Sequence, residues 1–211
     1  MVDSKKVLVL APHTDDGEFG CGGTIAKLIE QGAEVHYVAF SWCEESVPEG
    51  FPKDILKTEV ASATAILGIK KENLHVLDYK VRYFSSHRQQ ILEDLIVFRK
   101  KINPDLVLIP SLNDIHQDHA TIAIEGVRAF KNRNVLSYEL TWNNFNFSMD
   151  FFNKLTEEQV NIKIESLKQY KSQISIRGYA SEEFIKGLAK VRGTQVGADY
   201  AEVFEVVRLI N

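Results

Sequence analysis

The sequence predicts an α/β protein, a Rossmann-like three-layer fold with a mostly parallel central sheet and a helical C-terminal elaboration. Three observations carry this. The apolar runs Val7-Leu8-Val9-Leu10 and Leu106-Val107-Leu108-Ile109-Pro110 lack polar alternation, which marks strands buried on both faces. Stretches with helical spacing of apolar residues separate such runs, so strands and helices alternate. No internal repeat, low-complexity tract or linker interrupts residues 1–211, and the length suits a single domain.

The elements follow in order. Residues 5–11 read as the first strand. Gly20-Cys21-Gly22-Gly23 reads as a glycine-rich turn opening a helix over 24–31, with Gly32 as its C-terminal cap. Residues 34–41 read as a second strand. Leu56, Val60, Ala63 and Leu67 recur at helical spacing, and Gly68 ends that helix. Residues 73–79 suggest a third strand. Ser86 with Gln89 has the form of a capping box, and the stripe Ile91, Leu95, Phe98, Ile102 continues the helix until Pro104 stops it. Residues 105–109 are the fourth strand. A helix starts within Gln117-Asp118-His119 and runs to about Phe130, and residues 135–140 are a fifth strand. The last third changes character. Thr156 with Gln159 signals a helix reaching about Gln173, Ser181 caps another ending near Gly193, and residues 200–209 read as a final strand, placed at a sheet edge.

Composition narrows the function. Hydrophobic residues make up 45% and charged residues 26%, as in an ordinary soluble chain with a substantial core. A net charge of -4 argues against a general nucleic-acid binder. No apolar stretch approaches the ~20 residues needed to span a bilayer, and the N-terminus lacks a signal-peptide core. Cys21 and Cys43 form neither a CxxC pair nor a disulfide framework. Together these favour the cytoplasm. Helices and an edge strand in the C-terminal third leave a homo-oligomer open.

Two polar clusters sit where two buried strands end. Ala11-Pro12-His13-Thr14-Asp15-Asp16 follows the first strand, and Asp114-Ile115-His116-Gln117-Asp118-His119 follows the fourth. In open α/β sheets ligands bind at the carboxyl ends of strands, so the clusters are expected to converge. Imidazole and carboxylate are good ligands for zinc and for ferrous iron. His13, Asp16 and His119 give three protein ligands and leave coordination positions open, the pattern of a catalytic site. Asp15, beside a ligand, is placed to accept a proton from water. Asp118 is expected to hydrogen-bond His116 and favour its charged form. Each cluster alone also suits helix capping or a solvated helix start. The pair at matching strand ends points to chemistry.

Other features are weaker. The glycine-rich turn suggests an anion cradle, but a dinucleotide fingerprint needs Gly or Ala where Ile25 stands, and the second strand ends in Ser41 rather than an acid. Close helix–sheet packing is the better account of the glycines. Cys21 reads as a small buried residue. The aromatic and Asn-rich tract from Trp142 to Phe152 suits either a sugar-stacking wall or a cover for the core.

The first cluster, followed by Glu18-Phe19-Gly20-Cys21-Gly22-Gly23-Thr24, resembles the first motif of the PIG-L/LmbE-type N-deacetylases, and His116-Gln117-Asp118-His119 looks like its HPDH partner. The similarity runs to Arg192-Gly193 and Tyr200-Ala201-Glu202. The resemblance implies a hydrolase that removes acetyl groups from N-acetylated amino sugars, usually with zinc. It implies His13, Asp16 and His119 as metal ligands and Asp15 as general base. His116 would stabilise the oxyanion or protonate the leaving amine, oriented by Asp118. Thr14 and Gln117 replace prolines of the family pattern, with small backbone effects expected. Leu56 stands where thiol-cofactor sugar deacetylases of the family often carry Arg. Arg82 and Arg192, or Lys53 and Arg177, are then the candidate substrate contacts. Two other classes remain: a non-haem ferrous iron enzyme, because two His and one carboxylate also make its facial triad, and a metal- or sugar-binding protein without catalysis.

Overall fold

The computed structural model describes residues 4–174 and 178–210. Residues 1–3 and Arg177 lie outside them, so the reading of the extreme N-terminus and of Arg177 as a substrate contact has no structural counterpart. Five strands run parallel: β1 (Lys6–Ala11), β2 (Glu34–Ala39), β3 (Leu74–Val76), β4 (Leu106–Pro110) and β5 (Asn134–Tyr138). Two more, β6 (Phe151–Leu155) and β7 (Tyr200–Arg208), pair antiparallel with each other, and β7 pairs antiparallel with β5. The sheet order is β3-β2-β1-β4-β5-β7-β6. This confirms the predicted fold class.

The helices are α1 (Asp16–Glu30), α2 (Ile55–Ile66), α3 (Arg88–Ile102), α4 (Gln117–Ala129), α5 (Glu157–Leu167), the single turn α6 (Lys171–Ile174) and α7 (Glu182–Thr194). Alternate side chains of β1 partition between two cores. Val7, Val9 and Ala11 pack with residues of α1, α2, α5 and α7. Leu8 and Leu10 pack with residues of α3 and α4 on the opposite face. All five are fully buried, each contributing on the order of 0.5–3 kcal/mol of apolar transfer. That two-faced burial is why the strand sequence is uniformly apolar.

The order of the strands positions the site. After β3 the chain crosses back over β1, so β1 and β4 are neighbours whose outgoing connections diverge: Val7 pairs with Leu106 and Val9 with Leu108. Such a switch point opens a crevice at the carboxyl ends of the two strands, and both polar clusters begin there.

Several sequence expectations need correction. The glycine-rich stretch is not a turn; α1 already starts at Asp16 and runs through it, with a kink at Cys21 (φ −148°). The glycines let the helix press against its surroundings. A Cβ on Gly20 would lie 2.2 Å from the Tyr138 ring, and one on Gly23 2.5 Å from Leu155. The helix hydrogen bonds lost at the kink are replaced. Glu202 on β7 accepts from the N–H groups of Gly23 (3.0 Å) and Thr24 (2.7 Å), and the Lys163 ammonium donates to the Phe19 carbonyl (2.7 Å) and pairs with Glu202 (2.7 Å). An inner carboxylate thus occupies the place where an anion would sit.

β7 is not an edge strand, because β6, absent from the sequence reading, lies outside it. β6 mixes half-buried Phe151 and Phe152 with exposed Lys154, too short and irregular to show period-2 alternation. The Ser86–Gln89 box does not form: a 3-10 turn covers Phe84–His87, α3 starts at Arg88, and Gln89 donates to Glu93 instead. The Thr156–Gln159 box does form, but its helix stops at Leu167, six residues short of Gln173. Ser181 caps α7 as expected, and Gly32 (φ +87°) and Gly68 (φ +89°) take the left-handed conformation that ends α1 and α2. Among the described residues no helix is long and apolar enough to cross a membrane.

Candidate metal centre

β1 delivers His13 to the crevice, α1 starts immediately after with Asp16, and the first turn of α4 delivers His119. Three donor atoms meet. Asp16 Oδ2 lies 3.2 Å from His13 Nδ1 and 3.2 Å from His119 Nε2, and those two nitrogens are 3.1 Å apart. Tetrahedral ligands held ~2.1 Å from one ion sit ~3.4 Å apart, so the set fits a zinc-sized cation with little movement.

The remaining ring nitrogens are already taken, which settles which atom of each His faces the centre. His13 Nε2 is 3.1 Å from Asp118 Oδ2, and His119 Nδ1 is 2.8 Å from Asp114 Oδ2. Such outer carboxylates fix ring orientation and tautomer and raise ligand basicity. The hydrogen-bond pattern turns His13 Nδ1 and His119 Nε2 toward the centre, where each offers a lone pair in the neutral tautomer that donates to its outer carboxylate. A set of His13, His116 and His119 also lies close enough to share an ion. The set with Asp16 is tighter, and His116 Nδ1 is spent accepting the Asp118 N–H at 3.1 Å.

The electrostatics suit a cation. Burial alone would lower the pKa of His119, but Asp16 and Asp114 outweigh it and push it up to about 10. Burial alone would raise Asp16, but His119 and His13 hold its carboxyl well below the usual range. His13 is raised, with burial opposed by Asp16 and Asp118. The carboxylates around the two rings thus favour positive charge at this point, a role a proton or a metal ion can fill.

His116 and Asp118 depart from expectation. The Asp118 carboxylate does not orient His116. It bonds His13 and accepts the backbone N–H groups of Arg82 (2.6 Å) and Phe84 (3.3 Å). His116 is the N-cap of α4, and burial together with His119 and His13 brings its pKa down to about 4. It is a neutral imidazole rather than a charged one. Because Nδ1 accepts, its proton sits on Nε2.

Asp15, Asp16, His13, His116 and His119 line one cavity of about 340 Å³, within the range of small-molecule sites. Trp142, Asn143, Gln173 and Tyr179 form its far wall, with the Trp142 and Tyr179 rings stacked at 3.9 Å. The aromatic tract is divided: Trp142 and Asn143 face the cavity, whereas Phe151 packs on Phe204. Leu56 also lines the cavity. Arg82 sits at its rim in a left-handed conformation (φ +73°), held there by the Asp118 bond. Arg192 does not reach the cavity. Its guanidinium makes a two-pronged ion pair with Glu139 and also donates to Gln195 at 3.1 Å. Lys53 is exposed and does not line the cavity.

Sequence reasoning gave no role to Asp114, although it opens the second cluster. Its link to His119 spans the loop before α4 and has no spacing rule. Cys21 is buried as expected. Glu18, fully buried, is a carboxyl raised to about 8 by burial, against hydrogen bonds from Tyr37 and Tyr170.

Comparison with known proteins points the same way. Residues 8–130 match the family described as GlcNAc-PI de-N-acetylase, PIG-L. The chain is 34% identical over 136 residues to diacetylchitobiose deacetylase of Thermococcus kodakarensis, covering 60% of this chain and 49% of that protein. It is 30% identical over 126 residues to 4-oxalmesaconate hydratase of Pseudomonas putida, covering 54% and 47%. The chain thus spans about half the length of these two relatives. The structure of N,N'-diacetylchitobiose deacetylase from Pyrococcus horikoshii, complexed with its inhibitor MPG, superposes with a TM-score of 0.81 at 23% identity over 97% of this chain and 84% of that one. At that identity it speaks for the fold.

Proposed function

We propose, given that this chain belongs to the GlcNAc-PI de-N-acetylase (PIG-L) family, that it hydrolyses the acetamide of an N-acetylated amino sugar or its conjugate. The observation that carries this is the convergence of His13 Nδ1, Asp16 Oδ2 and His119 Nε2 within 3.2 Å beside Asp15 in one cavity. These residues would hold zinc, or ferrous iron. Such an ion supplies Lewis acidity, polarising the acyl carbonyl and acidifying water.

The protein's own groups do the rest. Asp15, buried at the head of α1 and lining the cavity, takes the proton of the attacking water and returns it to the amide nitrogen as the C–N bond breaks, releasing acetate and the free amine. Neutral His116, which lines the cavity, donates its Nε2–H to the oxyanion that forms from the acyl oxygen. A preorganised donor of this kind is worth about 3–4 kcal/mol. It needs no imidazolium. Asp118 and Asp114 keep His13 and His119 in their ligating tautomers. Trp142 offers an aromatic face to the sugar ring, and Arg82 at the rim meets its hydroxyls or substituents. An apolar Leu56 at the cavity wall makes a thiol-cofactor conjugate a poor fit. We place the enzyme in the cytoplasm, acting on a small molecule.

The hydratase relative supports a second reading, addition of water to a carbon–carbon double bond at the same site. Acetate release separates the two. Metal-loaded protein should release acetate from at least one member of a panel of N-acetylated amino sugars, and metal-loaded Asp15→Asn should lose about 10²–10⁴ of that rate. No acetate from any sugar, with hydration of an unsaturated dicarboxylate, would replace the deacetylase reading by the second.

A further inference from the structure

The loop that carries Asp15 is held from beneath by two tyrosines. Thr14 stands where a proline would fix φ through its ring, so its peptide needs another restraint. The Tyr37 hydroxyl, from β2, donates to the Thr14 carbonyl at 3.0 Å. The Tyr170 hydroxyl, from the segment between α5 and α6, reaches the same carbonyl at 2.5 Å. Gly17 N–H donates to Tyr37 Oη at 3.1 Å, which fixes the residue following Asp16. The Glu18 carboxyl lies against both phenols, with Oε1 2.7 Å from Tyr170 Oη and Oε2 beside Tyr37 Oη; each phenol has one proton to share between the Thr14 carbonyl and Glu18, so the four groups form one network. Glu18 and Tyr37 are fully buried and Tyr170 is 2% exposed, so water does not substitute for any of these bonds. The two phenols come from the sheet and from the C-terminal elaboration, and both end on the peptide that joins Thr14 to Asp15.

We propose that Tyr37 and Tyr170 are positioning residues for Asp15, clamping the Thr14 carbonyl so that the base and its neighbouring ligand Asp16 hold their geometry toward the cavity. This rests on the role given to Asp15 above. It also assigns a task to the C-terminal third: α5 and α6 bring Tyr170 to the first motif. A single phenol hydroxyl removed from the clamp leaves the carbonyl with one restraint and the loop with more freedom. Misplacement of a reacting group by a fraction of an ångström to 1 Å is enough to cost catalysis heavily.

Tyr138 supplies the matched control. It is equally buried and donates to a backbone carbonyl, Leu10 O, at 2.9 Å, but makes no bond to residues 13–18. The experiment compares Tyr170→Phe, Tyr37→Phe and Tyr138→Phe, all metal-loaded, by acetate-release kinetics, metal content, thermal midpoint and amide hydrogen exchange over residues 13–19. Tyr170→Phe and Tyr37→Phe should lower kcat by about 10–100-fold with KM within about twofold and metal content unchanged. Their exchange over residues 13–19 should quicken at least tenfold. Tyr138→Phe should lose similar stability but keep kcat and that exchange rate. An equal loss of kcat in all three, or exchange over 13–19 unmoved in Tyr170→Phe, would overturn the clamp. The exchange comparison stands whether or not acetate is released, so failure of the deacetylase reading would show in the wild type alone.

Discussion

His36 and His75 lie side by side on β2 and β3, much as His13 and His119 lie side by side beyond β1 and β4, yet the two pairs have opposite surroundings. Around His13 and His119 stand Asp16, Asp114 and Asp118, each bonded to a ring nitrogen. His36 and His75 stack on each other at 5.9 Å with rings nearly parallel, and Phe98 packs against His75. Among the described residues Glu34 is the one acid in contact, and Lys6 and Lys101 add positive charge. His36 Nδ1 and His75 Nε2 are buried with no hydrogen-bond partner among the described residues. Burial raises the cost of the charged form in both places. Only at the carboxyl end of the sheet do carboxylates reverse it. The lesson is that imidazoles become ligands through the groups behind them, and that the same residue type elsewhere on the sheet is inert packing.

Breaking the centre around His13 and His119 should have the largest effect. His119→Ala removes a ligand and is expected to abolish metal retention through dialysis, with a loss of affinity well beyond the 10–100-fold typical of outer partners. Elemental analysis checks this. Asp114→Asn and Asp118→Asn keep all ligands but remove the groups that orient them. Each should weaken metal affinity by about 10–100-fold, measured by competition with a chelator. Unchanged affinity in Asp118→Asn would mean that its contact with His13 has no energetic role.

How much of this was legible beforehand follows the same contrast. The proposed ligands could be read because they sit within a few residues of strand ends, where topology forces convergence. Partners set by tertiary packing could not: Asp118 serving His13 across the crevice, Asp114 serving His119, and Tyr37 and Tyr170 meeting under Thr14 from elements far apart in sequence. The glycines of α1 were read as a turn because local propensity treats Gly as a breaker. The partners that rescue the kinked helix, Glu202 and Lys163, come from β7 and α5. Arg192 looked available only because its match, Glu139, is invisible without the fold.

The smallest effect sharpens the comparison from the other side. Burial lowers the folded-state pKa of His36 and His75 below the ordinary 6.5. The unfolded chain therefore takes up protons first on acidification. Stability from this pair is full above pH ~6.5 and falls as pH drops below it. His36→Gln with His75→Gln should flatten that fall, so that the drop in thermal midpoint between pH 7.5 and 5.5 shrinks by a few degrees, ~2–4 °C. A drop as steep as the wild type would place the acid sensitivity elsewhere. Neither substitution should alter metal content.

The most direct test of the two-cluster account is metal stoichiometry by elemental analysis after exhaustive dialysis against zinc-free buffer, on wild type, His119→Ala, and the His36→Gln, His75→Gln double variant. The account predicts equimolar zinc or iron in the wild type and in the double variant, and none in His119→Ala. Metal retained in folded His119→Ala, or lost from the double variant, would contradict it.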